Sequence, residues 1–153
     1  MMTEVERNKA AARRTWEAVF PACDVAGLTE VIDPDVVERD RRPDEPPGFE
    51  GIKRTMFWLS TVFSDQRWEV HDLIAEDDMV VARMTHHGRH TGDLMGIPPT
   101  GREVAYQYVH FVRFRDGKAI EHWGVRDDMT LMRQLGVVPP PSAATQPTPV
   151  GAA

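Results

Sequence analysis

A predicted β-hairpin over residues 104–127 constrains the fold of this chain more than any other feature. Its sequence is VAYQYVHFVRFRDGKAIEHWGVRD, and the Asp-Gly pair at 116–117 is a strong short-range signal for a tight turn between two strands. The strands carry rings at several positions: Tyr106, Tyr108, His110, His122 and Trp123. Two apolar-rich strands that display aromatic rings and imidazoles are more typical of a pocket wall than of a plain sheet face.

The register of this hairpin has two candidate solutions. A two-residue turn at Asp116-Gly117 would pair His110 with Trp123, whereas a three-residue turn would pair His110 with His122. The second solution would also place His122 and Gly124 on the face of His110. Since a slip of one residue exchanges the two faces of a strand, and both faces of the second strand are mixed in character, periodicity leaves both registers open.

The order of the remaining elements predicts an α+β fold. Apolar residues recur at helical spacing in three N-terminal segments, at 4–20, 25–33 and 50–64. From residue 66 the period becomes alternating, which predicts strands at 66–76 and 79–90 before a loop of about ten residues. A short helix is predicted from Asp128 to Gln134. Helices followed by hairpin-connected strands predict helices packed on one face of a curved antiparallel sheet.

Length and charge narrow the class of protein. The chain has 153 residues, which predicts one domain at residues 1–138, followed by an uncharged Pro/Ala-rich tail at 139–153 expected to be disordered. A net charge of −6 argues against nucleic acid and against an anionic membrane surface. The single cysteine predicts no disulfide framework. A charged N-terminus and the lack of a long apolar run predict a cytoplasmic protein.

The histidines favour acid–base chemistry over a metal site. His86 and His90 are spaced for one face of a helix, but they lie in a predicted strand, so neither zinc nor iron is expected. His110 lies mid-strand among apolar residues, where burial disfavours the imidazolium and suits a general base. A buried histidine with a purely structural hydrogen bond explains the same pattern equally well.

Two stretches resemble a known family. HTGDLMGIPPTGREV and VRFRDGKAIEHWGVRDDMTLMRQLG are similar to the SnoaL-like polyketide cyclases, or ester cyclases, of the nuclear transport factor 2-like superfamily. The resemblance covers nearly everything before residue 138. It implies a cone-shaped α+β barrel in which the three N-terminal helices close the sheet around an apolar pocket, and a dimer or tetramer built through that sheet. It also implies an intramolecular aldol cyclisation of an aromatic polyketide without metal or organic cofactor.

Site residues follow from the resemblance position by position. The family histidine matches His110, and the position of the family's catalytic aspartate, directly after the E-H-W motif, is Gly124. The resemblance therefore directs attention to His122 and Asp127 as catalytic partners of His110. It predicts that Gly124 leaves extra room in the pocket, so that Gly124→Asp is tolerated. Substrate contacts are expected from Trp16, Arg39, Met56, His90, Tyr106 and Tyr108.

Three functions remain open at this stage. The first is a cyclase or isomerase whose acid–base pair is rearranged around His110, with Tyr108 as a hydrogen-bond donor to an enolate. The second keeps the pocket and changes the chemistry to cofactor-independent hydroxylation, hydration or epoxide hydrolysis. The third is a protein that binds a small hydrophobic molecule without turnover, since Gly124 removes the family carboxylate.

Overall fold

The computed structural model describes residues 1–142, and the predicted tail lies outside the described residues from 143 onward. Four helices are present in that part of the chain: α1 (Glu4–Arg14), α2 (Val25–Val31), α3 (Gly48–Val62) and α4 (Asp128–Gln134). Five strands complete the fold: β1 (Ile32–Glu38), β2 (Phe63–Glu76), β3 (Met79–His90), β4 (Glu103–Arg115) and β5 (Lys118–Arg126). The predicted α+β class is confirmed.

The sheet is mixed rather than wholly antiparallel. Its strand order is β1-β5-β4-β3-β2, and β1 pairs with β5 in parallel, while the other pairs are antiparallel. The expectation of an antiparallel sheet was wrong for β1, because the chain reaches β1 directly from α2 and not through a hairpin. The sheet stays open between its edge strands β1 and β2, and α3 packs against both of them, so the helix closes the cone.

Local sequence signals account for the helix boundaries. Thr3 and Glu6 form a capping box at the start of α1, and Asp24 caps α2 by accepting a hydrogen bond from the amide of Gly27 at 2.9 Å. Gly136, with φ of 78°, follows α4 in the left-handed conformation that glycine adopts without strain. These signals lie within a few residues of each boundary, which is why the helices were predictable from sequence.

The hairpin adopts neither of the two registers considered above. Asp116 and Gly117 both have positive φ, as a two-residue type I′ turn requires, but Ile120 forms a β-bulge in β5. The bulge adds one residue to β5, so His110 pairs with Gly124 and Val112 pairs with His122. The faces are nevertheless those of the three-residue alternative, since His110, His122 and Gly124 all line the cavity.

Candidate active site

A cavity of about 370 Å³ lies between the concave face of the sheet and the helices. Its size falls in the range of small-molecule sites. The wall is mainly aromatic and aliphatic, and its rings come from the turns after α1, from α3 and from strands β2 and β4: Trp16, Phe20, Trp58, Trp68, Tyr106, Tyr108 and Phe114. A cavity of this kind accepts a flat, largely apolar ligand.

A π-helical turn brings Trp16 into the cavity wall. After α1 the chain continues as a π-helix over Thr15–Val19 and a last helical turn over Phe20–Ala22. Such turns are rare and occur frequently at functional sites. The indole of Trp16 stacks on the imidazole of His110, with ring centroids 3.8 Å apart and an interplanar angle of 25°.

That imidazole is the first of three side chains in a hydrogen-bonded chain. Nδ1 of His110 lies 2.8 Å from Nε2 of His122, and Nδ1 of His122 lies 2.6 Å from Oε2 of Glu38. The parallel pairing of β1 with β5 places Glu38 beside His122, although 84 residues separate them in sequence. The chain therefore runs from the carboxylate of Glu38 through the imidazole of His122 to the imidazole of His110 in the core.

The carboxylate determines the direction of every bond in this chain. Because a carboxylate only accepts hydrogen bonds, Nδ1 of His122 is the donor to Glu38. For uncharged rings, Nε2 of His122 then accepts from the Nδ1–H of His110, and Nε2 of His110 carries a lone pair. That nitrogen is buried and has no partner among the described residues. Burial first, and then the neighbouring His122, hold the pKa of His110 well below 6.5.

Tyr108 covers the other face of His110. The two rings are nearly parallel, with centroids 4.0 Å apart and an angle of 5°. Burial raises the pKa of Tyr108 to about 12, so the phenol stays protonated. Its hydroxyl makes no hydrogen bond within residues 1–142.

The ring of Tyr108 also occupies the space that a side chain at position 124 would need. A Cβ added to Gly124 would lie 2.5 Å from Cε1 of Tyr108 and 2.9 Å from the carbonyl oxygen of Val109. The prediction of extra room at Gly124 was therefore wrong, because the ring from the neighbouring strand occupies that room. Gly124→Asp requires the Tyr108 ring to move.

A second carboxylate approaches the same position from the end of β1. Oδ2 of Asp40 accepts a hydrogen bond from the amide of Gly124 at 2.7 Å. The amide of Arg39 donates to the carbonyl of His122, two residues before Gly124, at 2.8 Å. The Asp40 side chain thus continues the β1–β5 ladder after the strand itself has ended, and it lines the cavity.

A second buried histidine supports Tyr106. His86 lies 2.8 Å from the hydroxyl of Tyr106 through Nδ1 and 3.0 Å from Oε1 of Gln66 through Nε2. Burial lowers the pKa of His86 to about 3, so this ring is uncharged. The phenol proton of Tyr106 has an acceptor in His86, and Tyr106 therefore offers the cavity an oxygen acceptor.

Five of the nine residues expected at the site line this cavity: Trp16, Tyr106, Tyr108, His110 and His122. The structure does not bring the other four to the wall. Met56 is fully buried among core side chains, although Ile52 and Leu59 of the same helix line the cavity, and His90 lies 3.1 Å from the hydroxyl of Thr100. Arg39 is exposed and pairs with Glu121, and the carboxylate of Asp127 caps α4 through Thr130.

Sequence reasoning missed Glu38 as a partner of the histidines and did not assign Trp68 or Arg126 to the wall. No local pattern marks Glu38, because its role arises from the parallel pairing of β1 with β5. Trp68 was recognised as the start of a strand, and its alternation with Val70 could have placed it inward. Arg126 pairs with Asp128, the first residue of α4. The predicted start of that helix at Asp128 was the signal that could have drawn attention to Arg126.

The α+β cone and an apolar cavity with buried acid–base groups define a class of small-molecule enzymes. The chain belongs to the SnoaL-like polyketide cyclase family, whose model matches residues 10–135. It is 31% identical to aklanonic acid methyl ester cyclase DauD of Streptomyces sp. (strain C5), over 80% of this chain and 74% of that one. Such relatives are cyclases, and this chain is an enzyme of the polyketide cyclase type.

Solved structures of similar proteins share the fold. TsrD from Streptomyces laurentii superposes with a TM-score of 0.81 at 26% identity, covering 90% of this chain and 100% of that one. AclR from Streptomyces galilaeus, a candidate hydroxylase, has a TM-score of 0.77 at 30% identity and covers 92% of this chain and 88% of that one. No helix in the described part of the chain is long and apolar enough to cross a membrane.

Proposed function

We propose that this enzyme closes a ring in an aromatic polyketide ester by an intramolecular aldol reaction, with His110 as the base. One observation carries the proposal: Nε2 of His110 is an unpartnered, buried nitrogen at the end of the chain formed by Glu38, His122 and His110. Buried polar atoms are nearly always hydrogen-bonded. Of the cavity-lining residues, Trp68 and His110 have an unpartnered buried nitrogen, and only that of His110 carries a lone pair that can accept a proton.

The hydrogen-bonded chain supports both proton transfers of an aldol reaction. Nε2 of His110 takes the proton next to the substrate carbonyl, and the Nδ1 proton of His110 passes to His122. The positive charge then lies on His122, beside the Glu38 carboxylate, and not on the fully buried His110. The enolate carbon attacks the ketone, the new alkoxide takes the proton back from Nε2 of His110, and the chain returns to its first state.

Access to Nε2 requires a ring to move. Trp16 and Tyr108 lie on the two faces of His110, and the nitrogen is fully buried. Trp16 also packs on Phe20 and Trp68, with centroids at 4.6 and 5.0 Å. Tyr108 has a free hydroxyl and no side chain beside it at position 124, so we infer that Tyr108 moves and, still protonated, donates a hydrogen bond to the enolate oxygen.

Proton exchange in heavy water tests the base directly. The substrates are aklanonic acid methyl ester and nogalonic acid methyl ester, because cyclases named for these esters are relatives of this chain. We expect exchange of the α-proton and ring closure with the wild-type enzyme, and loss of both in His110→Ala. His71→Ala is the control, since His71 is exposed and bonds Thr85 outside the cavity. Turnover by His110→Ala at the wild-type rate would refute the assignment.

Hydroxylation is the second candidate, and the similarity to AclR favours it. A hydroxylase of this fold would consume molecular oxygen, add one oxygen atom to the product and release the other as water, with the two electrons supplied by the substrate or by an added reductant. Oxygen consumption with the same two esters, followed by mass spectrometry of the products, separates the candidates. Ring closure under nitrogen at the full rate supports the cyclase.

A homodimer through the convex face of the sheet is a further part of the proposal. Phe111 and Trp123 stack there, with centroids 5.8 Å apart, and Val125 beside them is 66% exposed. Exposed apolar patches of this kind are typical of protein interfaces. We expect a dimer mass in light scattering and a monomer after Trp123→Glu. Cytoplasmic location and the absence of nucleic acid binding stay predictions.

A further inference from the structure

We propose that Asp40 makes the cavity selective for uncharged ligands over ligands that carry a carboxylate. Four carboxylates line the cavity wall, and three of them have a side-chain partner. Glu38 bonds His122, Glu45 bonds Arg42 at 2.6 Å, and Asp128 bonds Arg126. The inference rests on the proposed function only in that it assigns the ligand to the same cavity. It does not depend on the reaction that takes place there.

Asp40 differs from the other three carboxylates. Its oxygen Oδ2 accepts one backbone hydrogen bond, from Gly124, and the carboxylate has no cationic or side-chain partner among residues 1–142. Gly124 lies directly opposite His110 in the sheet. Asp40 is exposed and lines the cavity, so a ligand that approaches the imidazole meets a negative charge that no cation within residues 1–142 offsets.

The two arginines of the wall do not offset this charge. Arg42 is held by Glu45 and lies over the ring of Trp58, with its guanidinium carbon 4.5 Å from the centroid. Arg126 is paired with Asp128. A ligand carboxylate would have to displace one of these partners, whereas an uncharged ester would not. A protein often achieves selectivity in this way, by placing an unfavourable charge against the competitor.

Binding of an unreactive ligand pair tests the proposal separately from turnover. Methyl anthraquinone-2-carboxylate and anthraquinone-2-carboxylate have the same rings and no hydrogen on the carbon next to a carbonyl, so neither can be cyclised. The fluorescence of the tryptophans in the wall reports their binding. We expect the wild-type enzyme to bind the ester more tightly than the acid. A failure of ring closure would leave this measurement unaffected.

Asp40→Asn is the informative variant, because the amide oxygen still accepts the hydrogen bond of Gly124. We expect it to bind the acid about tenfold more tightly, as removal of one charge a few ångströms away predicts, with the ester unchanged within about twofold. Asp35→Asn is the matched control: it removes the same charge from an exposed position of β1 outside the cavity. An unchanged ester-to-acid ratio in Asp40→Asn, or an equal change in Asp35→Asn, would overturn the proposal.

Salt provides a second readout that needs no variant. Screening should strengthen the binding of the acid to the wild-type enzyme several-fold between low and high ionic strength, and leave the ester unaffected. Acid binding that weakens with salt, or an acid that binds more tightly than the ester, would mean that Arg42 or Arg126 recruits the carboxylate, and the proposal would be wrong.

Discussion

Gly124→Ala should destabilise the enzyme by displacing the ring of Tyr108. The new methyl group would lie 2.5 Å from Cε1 of Tyr108 and 2.9 Å from the carbonyl oxygen of Val109. Neither distance is compatible with normal contacts, so the flexible ring must move and the strand must shift slightly. The movement takes Tyr108 off His110, where the two rings are stacked at 4.0 Å.

The expected cost follows from these contacts. Overpacking of a filled core costs about 1–3 kcal/mol, and a lost ring stack costs about 0.5–1.5 kcal/mol. Replacing glycine in the unfolded chain returns about 0.4–1 kcal/mol. The net loss is about 0.5–4 kcal/mol, which at about 3 °C per kcal/mol corresponds to a decrease in Tm of about 2–12 °C for a chain of this length.

A double-mutant cycle measures how much of that loss involves the ring. In a Tyr108→Ala background the contact with Cε1 is absent, and only the carbonyl of Val109 still opposes a side chain at Gly124. Chemical denaturation of the four proteins should give a coupling of about 1 kcal/mol or more. Gly124→Ala should also make His110 react faster with diethyl pyrocarbonate. Free energies that add within about 0.5 kcal/mol would refute the argument that Tyr108 occupies this space.

Three further predictions concern the site and its surroundings. Glu38→Gln should fold normally and lower kcat by on the order of 10²-fold, because the charge that stabilises the imidazolium of His122 is lost; an unchanged kcat would remove Glu38 from the mechanism. Asp127→Ala should lower Tm by a few degrees and leave kcat unchanged, since its carboxylate caps α4; a large loss of kcat would restore it as a catalytic partner. Stability should decrease below pH 6.5, because the unfolded chain protonates His86 and His110 there, while their folded pKa values are lower. Each fully buried ring should contribute about 1.4 kcal/mol per pH unit, and a flat Tm between pH 6.5 and 4.5 would contradict this.

Much of the site could be predicted from sequence because its signals are local. Alternation along β4 places Tyr106, Tyr108 and His110 on one face, and that face lines the cavity. The resemblance to a family identified His110 and the unusual glycine at 124. Sequence could not exclude Met56 and His90 from the wall, because both are buried and a buried pattern does not specify which of the inward side chains reach the cavity.

Sequence alone determined the element types, the position of the turn at Asp116-Gly117 and the inward face of β4, since these depend on neighbours one to four residues away. Only the tertiary structure decided which residues meet across the sheet. The bulge at Ile120 shifted His110 onto Gly124, and the parallel pairing of β1 brought Glu38 to His122. A period of two residues specifies the face of a strand but not its register or its neighbour, because every pairing that buries the same face satisfies the pattern.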